Sequence, residues 1–267
     1  MSTPVVVGVD GCTPSFEAAS WGAHAAVSRN VPLLLVFVVD TGGRDASTAD
    51  MAHARQALNR AWQCVRATGE ELLVQADVRV GDPAAELAAA ARGAALLCLG
   101  AASGKKHARS GALARTLTRH QHTPVALIRR QSDARRSDGT AIVKWIVVIL
   151  AESHGAEAAL RAALDEARSR SAPVLALTSW STTSKRAGDE DDDGVRQELQ
   201  RHLESSDDTV DMCALPIPAD PVRLLEDAGN TVQMVVVAGA DAADLHTLTS
   251  RRAERVLRRR GCTVLVV

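Results

Sequence analysis

Two consecutive copies of a doubly wound parallel α/β domain are the fold this sequence predicts. Three observations carry the prediction. At 267 residues the chain exceeds the usual single-domain size of roughly 100–150 residues. Short, almost unbroken apolar runs alternate with Ala-rich stretches of helical periodicity. The alternation then starts afresh after a polar, basic segment near the middle of the chain.

The apolar run 4–9 ends in Asp10 Gly11 and reads as strand and turn. Residues 15–28 then read as a helix. Residues 32–39 are almost all apolar, as a parallel strand covered on both faces requires, and 47–68 read as the second helix. The series continues with strand 73–80, helix 83–92 behind Asp82 Pro83, strand 94–99, helix 111–120 and strand 124–128. Right-handed crossovers between parallel strands lay such helices on both faces of a five-stranded sheet. Ligands of these sheets sit beyond the carboxyl ends of the strands, where the winding reverses. That directs attention to the loops after Val9, Val39 and Leu99.

The pattern restarts at residues 143–150. The chain is therefore divided into a first copy at 1–130, a linker at 131–140 and a second copy at 141–267. Short matches set the expected register. Glu17 Ala18 Ala19 returns as Glu157 Ala158 Ala159, Asp82 Pro83 as Asp220 Pro221, and Gly100 as Gly239. Residues 182–194, with the run Asp189 Glu190 Asp191 Asp192 Asp193, are expected to form a solvated loop. Calcium loops need spaced ligands and a fixed glycine, which a contiguous acidic run lacks.

Composition removes several function classes. The 31 Lys and Arg are balanced by 32 Asp and Glu, and only two Phe, four Trp and no Tyr are present. Neither a global positive field nor base-stacking platforms are on offer, so no nucleic acid partner is expected. Five scattered cysteines without CxxC spacing suggest neither a disulfide framework nor zinc. No apolar run reaches the ~20 residues that span a bilayer, and no basic leader precedes residues 5–7. A cytoplasmic protein without membrane contact is the expectation.

Val6 Val7 Gly8 Val9 Asp10 Gly11 Cys12, followed by Ser15, Ala18, Ala19 and Trp21, resembles the opening strand, turn and helix of the universal stress protein family. Val80 Gly81 Asp82 Pro83 Ala84, Leu99 Gly100, and Thr123 Pro124 Val125 Ala126 Leu127 Ile128 are similar to its later elements in the same order. The resemblance implies flavodoxin-like, adenine-nucleotide-hydrolase-like domains that form homodimers and that bind ATP in one branch of the family but not in another. In the ATP-binding branch, the resemblance further implies, an Asp after the first strand reads adenine and a GxxG(x9)G[ST] loop after the fourth strand cradles the phosphates. Glycine admits backbone amides to phosphate oxygens there, and a helix N-terminus adds its dipole.

By that resemblance, the nucleotide site of the first copy comprises Asp10, Gly11, Val39, Gly100, Ser103, Gly104, Lys105, Gly111 and Ala112. Asp10 has two readings, an acceptor for the exocyclic amine of adenine or a turn aspartate before the next helix. The phosphate loop departs from the motif. With Pro124 Val125 as anchor, Gly111 and Ala112 take the place of the final Gly-Ser pair, two residues short of the motif's spacing, and the hydroxyl is lost. Lys105, Lys106, His107 and Arg109 add positive charge to this loop. In the second copy, Leu150 or Ala151 falls at the place of Asp10, Ala243 at that of Gly104, and Ser250 Arg251 at the Gly-Ser pair, while Asp241 and Asp244 would repel a triphosphate.

No nucleophile, base and acid combine at a recognisable spacing, and Gly104 Lys105 Lys106 fails the Walker frame at its last position. No metal site is expected. Two readings of function stand. One is a stress-response regulatory protein with ATP or another adenine nucleotide bound weakly in the first copy, at most a slow ATPase. The other is a ligand-free interaction scaffold. Both imply pairing of the two domains within the chain, a possible homodimer and an unidentified signalling partner.

Overall fold

The computed structural model describes residues 3–101, 117, 123–129, 142–150, 155–179, 190–204, 210–217, 220–239 and 250–267. The chain divides into two compact units, Met1–Arg130 and Gln131–Val267. Among the described residues, no helix is long and apolar enough to cross a membrane.

The first unit contains β1 (Val5–Val9), α1 (Thr13–Ser28), β2 (Leu33–Val39), α2 (Thr48–Arg66), β3 (Val74–Val80), α3 (Pro83–Ala91), β4 (Leu96–Gly100) and β5 (Val125–Ile128). Its strands are all parallel, in the order β3-β2-β1-β4-β5. The winding thus reverses between β1 and β4. The predicted helix 111–120 lies outside the described residues apart from Leu117, which is helical and buried.

Alternation along β1 shows how the sheet is covered. A Cβ on Gly22 of α1 would stand 2.7 Å from Val7, whereas a Cβ on Gly8 would meet Leu99 at 2.8 Å and Leu87 of α3 at 3.4 Å. Successive strand residues point to opposite faces, so α1 and α3 lie on opposite sides. The Ala-rich seam of α1 (Ala18, Ala19, Gly22, Ala23, Ala26) is buried. Its small side chains let the helix axis approach the strands closely, and the scarcity of aromatic volume follows from that.

The second unit contains β6 (Trp145–Leu150), α4 (Ala156–Arg170), β7 (Val174–Thr178), α5 (Glu190–Glu204), β8 (Met212–Pro216), α6 (Pro221–Asp227), β9 (Val232–Val237), α7 (Arg251–Arg260) and β10 (Thr263–Val266). Its strands are again parallel, ordered β10-β9-β6-β7-β8. Both units are therefore α/β domains of one plan, placed in tandem.

Backbone hydrogen bonds fix the correspondence between the copies. Val5 N–H donates to Pro32 O, as Ile146 N–H does to Pro173 O. Beyond the first helix of each copy stands a non-glycine residue of positive φ, Asn30 at +52° and Ser171 at +48°. Both landmarks give an offset of 141 residues. Ala18, Ala19, Gly22, Ala23 and Ala26 then coincide with Ala159, Leu160, Ala163, Leu164 and Ala167, all buried.

The expected pairing of Glu17 Ala18 Ala19 with Glu157 Ala158 Ala159 is thus one residue out of register. The same correction applies to Gly100. Ala101 N–H donates to Ile128 O and Gly239 N–H to Val267 O, which makes Ala238, not Gly239, the counterpart of Gly100. In each case a local identity outweighed a ladder position that no single residue advertises. Asp82 and Asp220 do correspond. Their carboxylates accept from Ala85 N–H (2.8 Å) and Arg223 N–H (3.0 Å), and Pro83 and Pro221 follow, the arrangement expected of a helix N-cap.

At one pair of facing strand positions the second copy carries more bulk than the first. Gly8 lies beside Leu99 in the first, and the same places hold Ile149 and Val237 in the second, both buried. The acidic run is a further correction. The backbone is helical from Glu190, where a loop through 194 was expected. Asp189 itself is outside the described residues.

Candidate functional site

The crevice between the diverging ends of β1 and β4 is the switch point of the first unit. Asp10 leaves β1 there with its side chain exposed. Its Oδ1 accepts Cys12 N–H at 3.0 Å and the Cys12 thiol at 2.7 Å. Asp10 N–H donates to Ser15 Oγ (3.3 Å), whose hydroxyl donates to Cys12 O (2.8 Å). The turn reading of Asp10 is therefore realised. It leaves room for the other, because a carboxylate offers about four acceptor positions.

Gly11 has φ +82°, a conformation that only glycine adopts without strain. His53 of α2 stands over it, with Nε2 3.5 Å from where a Cβ would be. The same imidazole meets Phe37 of β2 edge-on, ring centres 5.7 Å apart. Sequence reasoning missed His53. It lies on an exposed helical face with no motif around it, and only the packing of α2 beside α1 brings it over the turn.

Val39 is buried, and its carbonyl accepts Gly81 N–H at 3.1 Å. Its backbone therefore faces β3. Since successive residues of a strand alternate in direction, Val38 is the residue whose backbone faces β1. Next along the chain, Asp40 Oδ1 accepts Gly42 N–H (3.1 Å) and closes a turn at the end of β2. The loop beyond is tied to α2 by a capping box between Ser47 and Asp50, with Arg44 on Asp50 Oδ2 at 2.8 Å. The Arg44 hydrogen bond, then those from Ser47, hold the Asp50 carboxyl well below the usual carboxylate range.

Gly100 ends β4 where the strand crosses the start of α1. A Cβ there would lie 2.4 Å from the backbone C and O of Pro14 and 2.6 Å from Ser15 N. Glycine is required by the approach of two backbones. The α1 terminus itself offers few amides to a ligand, because Pro14 has none and those of Ser15 and Phe16 point to Cys12 O. Phosphate binding would thus fall to the loop after β4, whose candidates Ser103, Gly104, Lys105, Gly111 and Ala112 lie outside the described residues.

Asp10, Gly11 and Gly100 are brought to one edge, and Val39 ends the adjacent strand. In the second unit Leu150 matches Val9, so the position after it in the sequence, Ala151, replaces Asp10 and removes the carboxylate. Gly155 and Ala238 meet there instead, a Cβ on Gly155 falling 2.5 Å from the Ala238 methyl. Among the described residues, no group of three or more His, Cys, Asp or Glu could hold a metal ion.

Comparison with known proteins agrees with this geometry. The model of the "Universal stress protein family" matches residues 1–129. Universal stress protein Rv2624c of Mycobacterium tuberculosis is 33% identical over 98% of this chain and 95% of its own length. Universal stress protein Rv2028c of the same organism is 30% identical over 98% and 95%. A crystal structure of a universal stress protein from Archaeoglobus fulgidus superposes with a TM-score of 0.69, covering 100% of this chain and 96% of that one at 15% identity, a likeness of fold. Similarity that runs the length of both chains, over a sheet of this order, means that the chain belongs to the universal stress protein family.

Proposed function

We propose that the chain is a regulatory stress protein whose first domain, residues 1–130, takes an adenine nucleotide with low affinity, and whose second domain, after a linker at 131–140, does not bind one in that manner. The observation that carries the reading is the exposed Asp10 carboxylate in a turn anchored by Cys12 and Ser15 at the switch point, beside Gly11 and Gly100. Asp10 would accept from the adenine amine. The backbone of β2 at Val38 and Val39 would border the base, and Lys105 with Gly104 and Gly111 would meet the phosphates. The residues present fit an adenine ring better than a triphosphate. The Asp10 carboxylate is exposed at the switch point, whereas the phosphate loop is two residues short of the family motif and the α1 amides are turned inward.

Those last two observations favour the second reading, an interaction scaffold without ligand. Mass spectrometry of small molecules released from the purified, denatured protein, with calorimetric titration of ATP, separates the two. An adenine nucleotide in the released fraction, or heat at millimolar ATP that Asp10→Ala abolishes, supports binding. No nucleotide and no heat leaves the scaffold, and unchanged affinity in Asp10→Ala removes Asp10 from the site.

A further inference from the structure

One face of the second unit departs from the first in a concerted way. In the first copy, Arg79 of β3 bonds Asp77 Oδ2 at 2.9 Å, donates to Glu86 O at 3.2 Å and lies 3.7 Å from the Glu86 carboxylate. This ionic bridge ties the edge strand to α3. The strand registers Leu33↔Val74 and Val174↔Met212, with the paired caps Asp82 and Asp220, place Leu215, Ile217 and Leu224 at the positions of Asp77, Arg79 and Glu86. Three interacting charges have become three aliphatic side chains. The helix beside them has also shortened, from nine residues in α3 to seven in α6.

Leu215 and Leu224, two of these three aliphatic side chains, line a groove of about 740 Å³ among the described residues, together with Trp145, Leu175 and Cys213. The Cys213 side chain is exposed at the groove, and its partial desolvation moves the thiol upward from its ordinary value. The charges at the mouth already have partners. Asp220 Oδ2 accepts from Arg252 at 2.6 Å, Arg252 also lies 3.8 Å from Glu226, and Arg223 lies 3.8 Å from Asp227. A charged ligand would have to compete with those pairs, whereas an uncharged one would not.

Shape separates a small molecule from a protein partner. Small-molecule sites are concave, mostly apolar and roughly 300–1,000 Å³. A stable protein interface needs about 800 Å² from each side. Leu215, 49% exposed, is the one large apolar side chain of this groove that stands well out to solvent. We propose that the groove between β8 and α6 is a binding site for an uncharged, apolar small molecule, acquired by the second copy and independent of any nucleotide in the first.

The test uses the full chain and the neutral fluorophore N-phenyl-1-naphthylamine. Saturable one-to-one binding with fluorescence enhancement is expected. The variant Leu215→Asp/Ile217→Arg/Leu224→Glu, which writes the ionic bridge of the first copy into the second, should weaken binding at least tenfold with the thermal melt retained. Cys213→Phe fills the groove without adding charge and should weaken it likewise, which keeps the test decisive if the triple variant does not fold. Non-saturable binding by the parent, or equal affinity in a folded variant, overturns the proposal. So does concentration-dependent self-association in sedimentation that the triple variant abolishes, since the groove would then be a protein interface.

Discussion

Where the fourth strand of each copy passes the first helix, there is space for one side-chain methyl fewer than two ordinary residues would bring. The second copy allows this to be measured. Gly155 stands at the helix start and Ala238 at the strand end, and a Cβ on Gly155 would lie 2.5 Å from the Ala238 methyl. Gly155→Ala forces an overlap that costs typically ~1–3 kcal/mol in a packed site. Against this, alanine restricts the unfolded chain and returns ~0.4–1 kcal/mol; φ −102° at Gly155 is open to any residue. The net expectation is a loss of about 1–2 kcal/mol, or roughly 0.5–1 M in the urea midpoint for a slope of ~2 kcal/mol/M.

Ala238→Gly alone should cost about 0.5–1 kcal/mol through added chain freedom. In the double variant the overlap is gone, and the two backbone terms nearly cancel, so its midpoint should return close to that of the parent. A coupling of at least ~1 kcal/mol is the signature of groups in contact. Additive losses in the urea titrations would refute the contact, and with it the assignment of Ala238 as counterpart of Gly100. The first copy provides the contrast. A Cβ at Gly100 meets backbone atoms of Pro14 and Ser15, so no side-chain substitution at residue 14 should rescue Gly100→Ala.

The remaining predictions concern charge. Because the Asp50 carboxyl titrates below its ordinary value near ~3.9, its contribution to stability is complete above that pH and is lost as pH falls through the folded value. A carbon-detected NMR titration should show a depressed Asp50 midpoint that Arg44→Ala raises, and an unmoved midpoint would discount Arg44 as the main cause. Glu166 of α4 is fully buried and bonded by Arg170, at 2.9 Å from Nε and 2.8 Å from Nη2. Arg170→Ala takes the charged partner from that buried carboxylate and should destabilise by up to about 3–5 kcal/mol. Glu166→Ala, which copies the Ala25 of the first unit, should cost distinctly less in the same denaturation assay. The reverse order would mean that the carboxylate has sufficient support without Arg170.

The strands were legible because a parallel strand covered on both faces leaves an unbroken apolar run, as in 32–39 and 145–150, and the helices because Ala-rich seams recur at helical spacing. Asp10, Gly11 and Gly100 could be assembled at one edge from strand order alone. Register was less legible. Glu17 Ala18 Ala19 and Glu157 Ala158 Ala159 are identical triplets, yet burial aligns Ala18 with Ala159, because a helix repeats small residues often enough to offer a false match one step away. His53 carried no signal at all. Its place over Gly11 depends on how α2 packs, a tertiary relation that leaves no local pattern. The polarity of the acidic run suggests a loop, but polarity alone does not separate a loop from a solvated helix, and the backbone is helical from Glu190.

Gly8 beside Leu99 and Ile149 beside Val237 put different amounts of side-chain bulk at the same facing places of two strands. Segments exchanged between the halves would therefore disagree even where their backbones superpose. Ile149 set against Leu99 would overfill the interior, and Gly8 set against Val237 would hollow it. Once facing positions have drifted together in this way, recombination between the halves is penalised at many points at once. The two copies can no longer be homogenised piecemeal, which leaves each free to specialise.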